Sequence, residues 1–152
     1  MARSMVGLNP QYYEAILQLR DVSEEMIQFA QKEIRNRQLH IVRTKMHETG
    51  VDYYLPDKDL AKAIGKKLQL NFGGKCIVTA KLFSKKDDRL IYRLTILFRG
   101  LSFNKNDVVT YKGIEYTVKN LANEILLQNE KNGKKARVKY KDTALIKKKE
   151  QN

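Results

Sequence analysis

The first hundred residues alternate between two hydrophobic periods, and this alternation limits the chain to a mixed α and β architecture. From Tyr12 to Arg20 apolar residues recur mostly at every second position, which is the period of a strand with one buried face. Directly afterwards the spacing becomes that of a helix, with Ile27, Ala30 and Ile34 on one side. Both periods recur further along the chain, so strands and helices must share a core.

Turn and capping residues divide this region into an ordered series of elements. Ser23 is a suitable N-cap for the first helix and Asp57 for the second, which Gly73-Gly74 ends. The other segments are strands at 12–20, 39–46, 51–55, 75–83 and 90–99, with a polar turn at 84–89. The first six elements match the split βαβ arrangement, an antiparallel sheet with both helices on one face. We therefore predict a ferredoxin-like α+β domain over residues 1–100.

Beyond residue 106 the strands become shorter and turn residues more frequent. Asn132-Gly133 lies within Lys131–Lys134, a segment that favours a tight hairpin turn. Alternating segments at 114–118, 125–127 and 136–140 surround it. Four or five short strands in so short a region predict a small SH3-like β-barrel over residues 101–146. Residues 147–152 are rich in lysine and are predicted to form a mobile basic tail.

The charge of the chain favours a polyanionic partner. The formal net charge is +13, and residues 101–152 alone hold 12 basic against 6 acidic residues. Nucleic acid and an anionic membrane surface are both partners of this kind, whereas a merely soluble basic protein would need neither. No apolar stretch approaches the roughly 18 residues that a membrane span needs. We therefore expect nucleic acid rather than a membrane.

The basic residues of the last predicted hairpin are the strongest candidates for binding RNA. Alternate side chains of a strand share one face about 7 Å apart, near the spacing of successive phosphates. An ordinary edge strand protected by lysines against aggregation is the alternative. Arg93 and Arg99 are weaker candidates, because their stems could equally cover the sheet edge. The predicted RNA-binding residues are Lys134, Lys135, Arg137, Lys139, Lys141, Arg93 and Arg99.

Aromatic residues on the face opposite the predicted core could add base stacking. Three tyrosines are placed there: Tyr12, Tyr54 and Tyr92. Four other aromatic residues are better explained as core: Tyr13, Tyr53, Phe83 and Tyr116. The basic-Gly-aromatic block of RRM domains is absent, so the predicted topology alone does not imply RNA binding.

No pattern in the chain predicts an active site. His40 and His47 lack the spacing of metal ligands, and the single cysteine, Cys76, is expected in the core. No glycine-rich loop precedes a helix, so no phosphate-binding loop is expected. We therefore expect a non-enzymatic protein without a metal, a cofactor or a small-molecule substrate. The first residues, 1–5, lack the apolar core of a signal peptide, which favours the cytoplasm.

Four short blocks resemble the archaeal branch of the NMD-three family, the export and assembly adaptor of the large ribosomal subunit. They are Tyr12–Arg20, Gly50–Leu55, Asn71–Gly74 and Tyr92–Thr95, and the resemblance spans most of residues 10–145. It implies docking on the large ribosomal subunit, with contacts to rRNA and ribosomal proteins near the tRNA sites. Part of that family resembles translation factor five-A, with small barrels on the C-terminal side.

The sequence departs from the family pattern in its cysteines. Family members typically begin with paired CxxC motifs that bind zinc, whereas this chain has only Cys76. Either that module was lost or it belongs to a longer parent, so its contacts are not carried over, and nuclear export is not expected. The resemblance implies a factor in large-subunit maturation or quality control. A general nucleic-acid-binding module and a protein-interaction adaptor are the alternatives.

Overall fold

The computed structural model of the protein describes residues 10–86, 88–121 and 124–149. Within these ranges the protein is a mixed α+β structure with two α-helices and two five-stranded sheets. It divides into two compact units, the first with residues up to Asn71 and Lys75–Gly100, the second with Phe72–Gly74 and the residues from Leu101. Residues 1–5 and the end of the predicted tail, 150–152, lie outside the described residues.

The first unit contains the helices and five strands. These are β1 (Ala15–Arg20), α1 (Glu24–Asn36), β2 (Arg43–His47), β3 (Gly50–Leu55), α2 (Lys58–Phe72), β4 (Lys75–Lys86) and β5 (Arg89–Arg99). The hydroxyl of Ser23 accepts a hydrogen bond from the backbone amide of Met26 at the start of α1. The carboxylate of Asp57 accepts from the amides of Asp59 and Leu60 at the start of α2. Both predicted N-caps are therefore confirmed.

Both helices pack on the same face of the first sheet. Ile96, Leu17 and Tyr53 stand opposite one another in a row across β5, β1 and β3. A Cβ added at Gly65 of α2 would lie 2.5 Å from Cγ2 of Ile96. The amide of Gln31 on α1 donates to the hydroxyl of Tyr53 at 3.0 Å. Each helix therefore contacts the row from the same side.

The fifth strand, which lies outside the six elements predicted to form an antiparallel sheet, adds one parallel pairing to the sheet. The strand order is β2-β3-β1-β5-β4, and β5 runs parallel to β1 with Ala15 opposite Leu94. Ile96 and Phe98 of β5 are 0% exposed, whereas β4 is exposed along most of its length. A central strand has neighbours on both sides, so the apolar β5 gains more from that position than the lysine-bearing β4.

β4 and β5 continue past β1 as a two-stranded arm. Their ladder runs from Lys81 opposite Arg93 to Lys86 opposite Arg89, whereas β1 pairs with β5 only from Leu94 onward. Most of the polar turn predicted at 84–89 therefore belongs to the strands. The register shifts between residues 82 and 84, which leaves Phe83 without a partner in the ladder, as in a β-bulge. We call residues 81–86 and 88–93 the hairpin arm.

The second unit is built from short antiparallel strands. They are β6 (Val108–Tyr111), β7 (Ile114–Asn120), β8 (Ile125–Gln128), β9 (Lys135–Val138) and β10 (Ile146–Lys148), in the order β10-β6-β7-β8-β9, and a 3₁₀ helix spans Tyr140–Leu145. They surround one cluster of buried residues: Phe103, Val109, Val118, Ile125, Leu127, Val138 and Ile146.

The predicted mobile tail is wrong for its first two residues. Lys147 and Lys148 belong to β10, where they pair with Thr110 and Val109 of β6. Ile146, which precedes them, is 3% exposed and lies in the core cluster. Burial of this one apolar side chain fixes the start of the strand, and the lysines follow it into the ladder.

Candidate nucleic-acid interface

The predicted basic hairpin consists of β8 and β9, and its register determines which side chains face outward. Val138 pairs with Ile125, and both are buried in the core of the second unit. Because successive residues of a strand face opposite sides, Lys135 and Arg137 lie on the outer face. Lys139 continues this face, since its backbone is still extended at φ −73 and ψ 151. We call Lys135, Arg137 and Lys139 the β9 basic face.

The loop of this hairpin holds the start of β9 in place. It spans residues 129–134 and is longer than the tight turn predicted from Asn132-Gly133. The amide of Asn129 donates to the carbonyl of Lys134, and the amide of Gly133 donates to the carbonyl of Asn129. The side chains of Asn129 and Asn132 accept from the amides of Lys131 and Lys134. These two side-chain turns occupy the extra residues and explain why the predicted two-residue turn does not form.

The positive charge of the hairpin is not cancelled by neighbouring acids. In the described ranges, the five predicted cations of this region are exposed and form no ion pair: Lys134, Lys135, Arg137, Lys139 and Lys141. The carboxylate in the loop, Glu130, instead binds Nζ of Lys119 at 2.8 Å. The hydrogen bond from Lys119 lowers the pKa of Glu130. The β9 basic face therefore keeps its charge available for a partner.

Lys141 does not lie on β9, so the predicted basic residues do not all belong to one hairpin strand and its turn. β9 ends at Val138, and Lys141 lies in the 3₁₀ helix Tyr140–Leu145. The prediction that alternation continues to residue 140 is wrong, because the carbonyl of Lys139 accepts from the amide of Asp142 and the chain turns. Lys134 in the loop and Lys141 in the helix therefore flank the β9 basic face.

Arg99 lies elsewhere, in the first unit, and has an acidic partner. Its Nη1 is 2.7 Å from Oδ2 of Asp21, in the loop that follows β1. Both side chains are about half exposed, at 53% and 48%. Arg99 therefore meets a phosphate only in competition with Asp21, which makes it a weaker anion ligand than the cations of β9.

Arg93 is held between two aromatic rings of the first unit. Its Cζ lies 3.8 Å from the ring centroid of Tyr13 and 3.5 Å from that of Phe83. Two rings cannot occupy the same face of one planar guanidinium, so Arg93 lies between them. Its Nε also donates to the carbonyl of Tyr13 at 3.0 Å. Arg93 thereby joins the hairpin arm to the segment before β1. The prediction of Phe83 as core is wrong, because the residue is 43% exposed.

Sequence reasoning missed two further exposed cations, which lie on β2. Arg43 and Lys45 are exposed and lie on the sheet face away from the helices, since Arg43 pairs with Tyr54. The guanidinium of Arg43 stands 4.1 Å above the ring of Tyr54, and Tyr13 contacts that ring edge-on at 4.9 Å. Tyr54 is 8% exposed and is therefore covered rather than available to a base. The alternation of basic residues at 43 and 45 was the available signal.

Other polar groups of the first unit are engaged with one another. Nε2 of His47 lies 2.9 Å from Asp52, which also binds Nη1 of Arg20 at 2.7 Å. In the described part of the chain no three His, Cys, Asp or Glu residues are grouped as a metal site would need. Cys76 is half-buried, and this burial raises the pKa of its thiol. Neither helix of the described ranges has the length and apolarity that crossing a membrane requires.

Comparison with known proteins gives one family. The family model described as "NMD3, second domain" matches residues 12–99. The matched range contains all five strands and both helices of the first unit and covers more than half of the chain. A search of curated proteins finds no significant match. The β9 basic face lies outside the matched range.

Proposed function

The chain belongs to the NMD3 family, and from this membership we propose that it is a non-enzymatic RNA-binding factor of the large ribosomal subunit. The family points to a role in ribosomal subunit export or assembly. The partners we propose are rRNA and ribosomal proteins of the large subunit, met in the cytoplasm. Within that role, we propose that the protein acts in maturation or quality control of the subunit, where its exposed basic residues would contact rRNA.

We further propose a fold class for each of the two units. The β-α-β-β-α-β order and the two helices on one face support a ferredoxin-like domain over residues 1–100, extended by the insertion of β5 beside β1. Five short antiparallel strands around one buried cluster support an SH3-like barrel over residues 101–146. Small barrels of this kind present their strands and loops to ligands, which suits a basic outer face.

The β9 basic face is the observation that supports RNA binding most directly. Three cations project from one side of an edge strand at alternate positions, and each is exposed. Each phosphate that such a cation neutralises releases counterions, so affinity must fall as salt rises, with a slope of roughly 0.7 to 0.9 per contact. If these cations served only to prevent strand addition, they would contribute nothing to this salt dependence, and reversing their charge would leave ribosome binding unchanged.

Charge reversal tests the proposal. We expect Lys135→Glu/Arg137→Glu/Lys139→Glu to lower co-sedimentation with large ribosomal subunits at least tenfold near 0.1 M salt, because three attractive contacts become repulsive. The matched control is Lys58→Glu/Lys62→Glu/Lys66→Glu on α2, which changes the net charge equally at four-residue spacing on one helix face. The control is expected to retain most of the binding, and wild-type binding is expected to weaken steadily with salt.

The same experiment separates the alternatives. Wild-type protein that ignores large subunits at low salt would contradict the proposal. Equal affinity for rRNA fragments and for duplex DNA of the same length would favour a general nucleic-acid-binding module. Ribosome binding that survives reversal of all three β9 cations would favour a protein-interaction adaptor whose charge serves solubility.

A further inference from the structure

A cavity of about 420 Å³ opens where the hairpin arm leaves the first sheet. Its residues come from the segment before β1, from β1 itself and from both strands of the arm. Ile16 and Thr95 pair across β1 and β5 and line it together. Ile16 alternates with the buried Ala15 and Leu17, so the cavity lies on the sheet face away from the helices. The other lining residues that matter here are Tyr13, Lys81, Phe83 and Arg93.

The aromatic wall of this cavity ends in Phe83, a residue that is partly exposed. Tyr13 and Phe83 contact Arg93 from either side, with its Cζ 3.8 Å and 3.5 Å from the two ring centroids. Arg93 covers one face of Phe83, yet 43% of that residue remains exposed. The bulge at residue 83 releases this side chain from the ladder, at the root of the arm. A flat ligand can therefore add the next layer to an arrangement that is already built.

Cations stand beside the aromatic wall. In the described residues Lys81 is exposed and forms no ion pair, and Arg93 uses only its Nε in a hydrogen bond to the protein. The terminal nitrogens of Arg93 keep their donors for an anion. A nucleotide matches this arrangement, because its planar base can stack on the ring while its anionic phosphate, a few ångströms away, lies between the two cations.

The dimensions favour one unstacked nucleotide over a double helix. A cavity of this volume falls at the lower end of small-molecule sites, which span about 300 to 1,000 Å³. In duplex RNA the bases are stacked inside the helix and cannot reach a side chain ring. We propose that this cavity binds a nucleotide of single-stranded RNA, with its base on Phe83 and its phosphate between Lys81 and Arg93. This site goes beyond the proposed function, since it is separate from the β9 basic face and does not require a ribosome.

Binding of short oligonucleotides to the full chain tests this site. The probe is a fluorescently labelled RNA hexanucleotide, and fluorescence anisotropy measures its affinity beside that of a labelled duplex RNA of six base pairs. Phe83→Ala is expected to weaken hexanucleotide binding about 5- to 150-fold, the range for loss of one base–aromatic stack. Phe83→Tyr keeps the ring and is expected to restore binding. The matched control is Leu90→Ala, an exposed apolar residue of the same arm that does not line the cavity.

A second variant gives a readout that a merely structural role of Phe83 would not move. Lys81→Ala is expected to lower the salt slope of hexanucleotide binding by about 0.7, the value for one phosphate contact of a single strand. Hexanucleotide binding that is tighter than duplex binding, lost in Phe83→Ala and kept in Leu90→Ala supports the site. Equal losses in Phe83→Ala and Leu90→Ala, or equal affinity for hexanucleotide and duplex, would overturn it.

The outcomes also separate this inference from the proposed function. Wild-type protein that binds large subunits but not the hexanucleotide overturns the nucleotide site alone. Protein that binds the hexanucleotide but not large subunits overturns the ribosomal role and leaves this site standing. A third outcome, in which Phe83→Ala weakens binding to isolated ribosomal proteins and leaves hexanucleotide binding unchanged, makes the cavity a protein site and overturns the inference.

Discussion

Glu33 is a buried acidic residue on α1 that forms ion pairs with two basic residues. Glu33 is 7% exposed, and its carboxylate lies 2.7 Å from Nζ of Lys67 on α2 and 3.6 Å from Nη2 of Arg37. A buried carboxylate without such partners would carry a desolvation cost of several kcal/mol, roughly. The hydrogen bond from Lys67 is the largest cause of a pKa below the ordinary value of 4.5. Lys67 of α2 therefore links the two helices.

The ion pair of Glu33 predicts a pH dependence of stability. Because the folded-state pKa lies below 4.5, the stabilisation is complete above that value and is lost as the pH falls through the folded-state pKa. We expect Lys67→Met to lower the free energy of unfolding by about 1 kcal/mol at neutral pH, since Lys67 is half exposed. We also expect it to flatten the decline in stability as the pH falls below 4.5.

Urea denaturation at several pH values measures both effects. Lys66→Met, which removes the neighbouring exposed lysine, is the control and is expected to keep the wild-type pH profile. A Lys67→Met profile with the same acid decline as wild type would contradict this assignment.

At the scale of single residues, the sequence predicts the direction in which a side chain faces better than it predicts the residues that the side chain contacts. Lys135 and Arg137 face outward as predicted, because the facing of a strand residue depends on its immediate neighbours. The partners of Arg99 and Arg93 come from positions 78 and 80 residues away. Local alternation contains no information on contacts at that separation, so Asp21, Tyr13 and their effects were found only in the fold.

At the scale of elements, α2 lies so close to the sheet that a methyl group does not fit at Gly65. A Cβ there would stand 2.5 Å from Cγ2 of Ile96 and 3.2 Å from Sγ of Cys76. Alanine would favour the helix over glycine by about 1 kcal/mol, but overpacking a core costs about 1 to 3 kcal/mol. The clash with a buried, branched side chain therefore decides the sign.

We accordingly expect Gly65→Ala to destabilise the protein by about 1 kcal/mol, measured as the shift in the urea midpoint at constant slope. Leu70→Ala, at a position of the same helix that is 85% exposed, is expected to stay within about 0.5 kcal/mol of wild type. A stabilised Gly65→Ala variant would mean that helix propensity outweighs the contact with Ile96.

The elements themselves were largely predictable, whereas their arrangement was less so. Hydrophobic period and capping residues give both helices and the strands of the first unit, because these signals are local. The place of β5 beside β1 results from competition between two strands for the centre of the sheet, which neither strand reveals alone. The end of β9 was missed for a related reason, since a 3₁₀ turn at Tyr140 interrupts an alternation that the sequence continues.

At the scale of the whole molecule, the second unit depends on a small core of its own. Leu127 is 0% exposed and belongs to that core. Leu127→Ala is expected to lower the free energy of unfolding of the second unit by about 2 to 5 kcal/mol, which is a large fraction of the total stability of so small a unit. We expect hydrogen exchange to accelerate at the amides of β7 and β8 and to remain unchanged in β1 and β3. Equal acceleration in both sets would show that the two units unfold together.

The parallel pairing of β1 with β5 has a consequence for synthesis. The contact between Tyr13 and Arg93 spans 80 residues, and translation adds roughly 5 to 20 residues per second. One hydrogen-bonding edge of β1 therefore remains open for roughly 4 to 16 s while the rest of the unit is made. An open edge of this kind is the surface that chaperones cover and that neighbouring nascent chains can join. The N-terminal strand thus leaves the exit tunnel several seconds before the strand that completes its sheet.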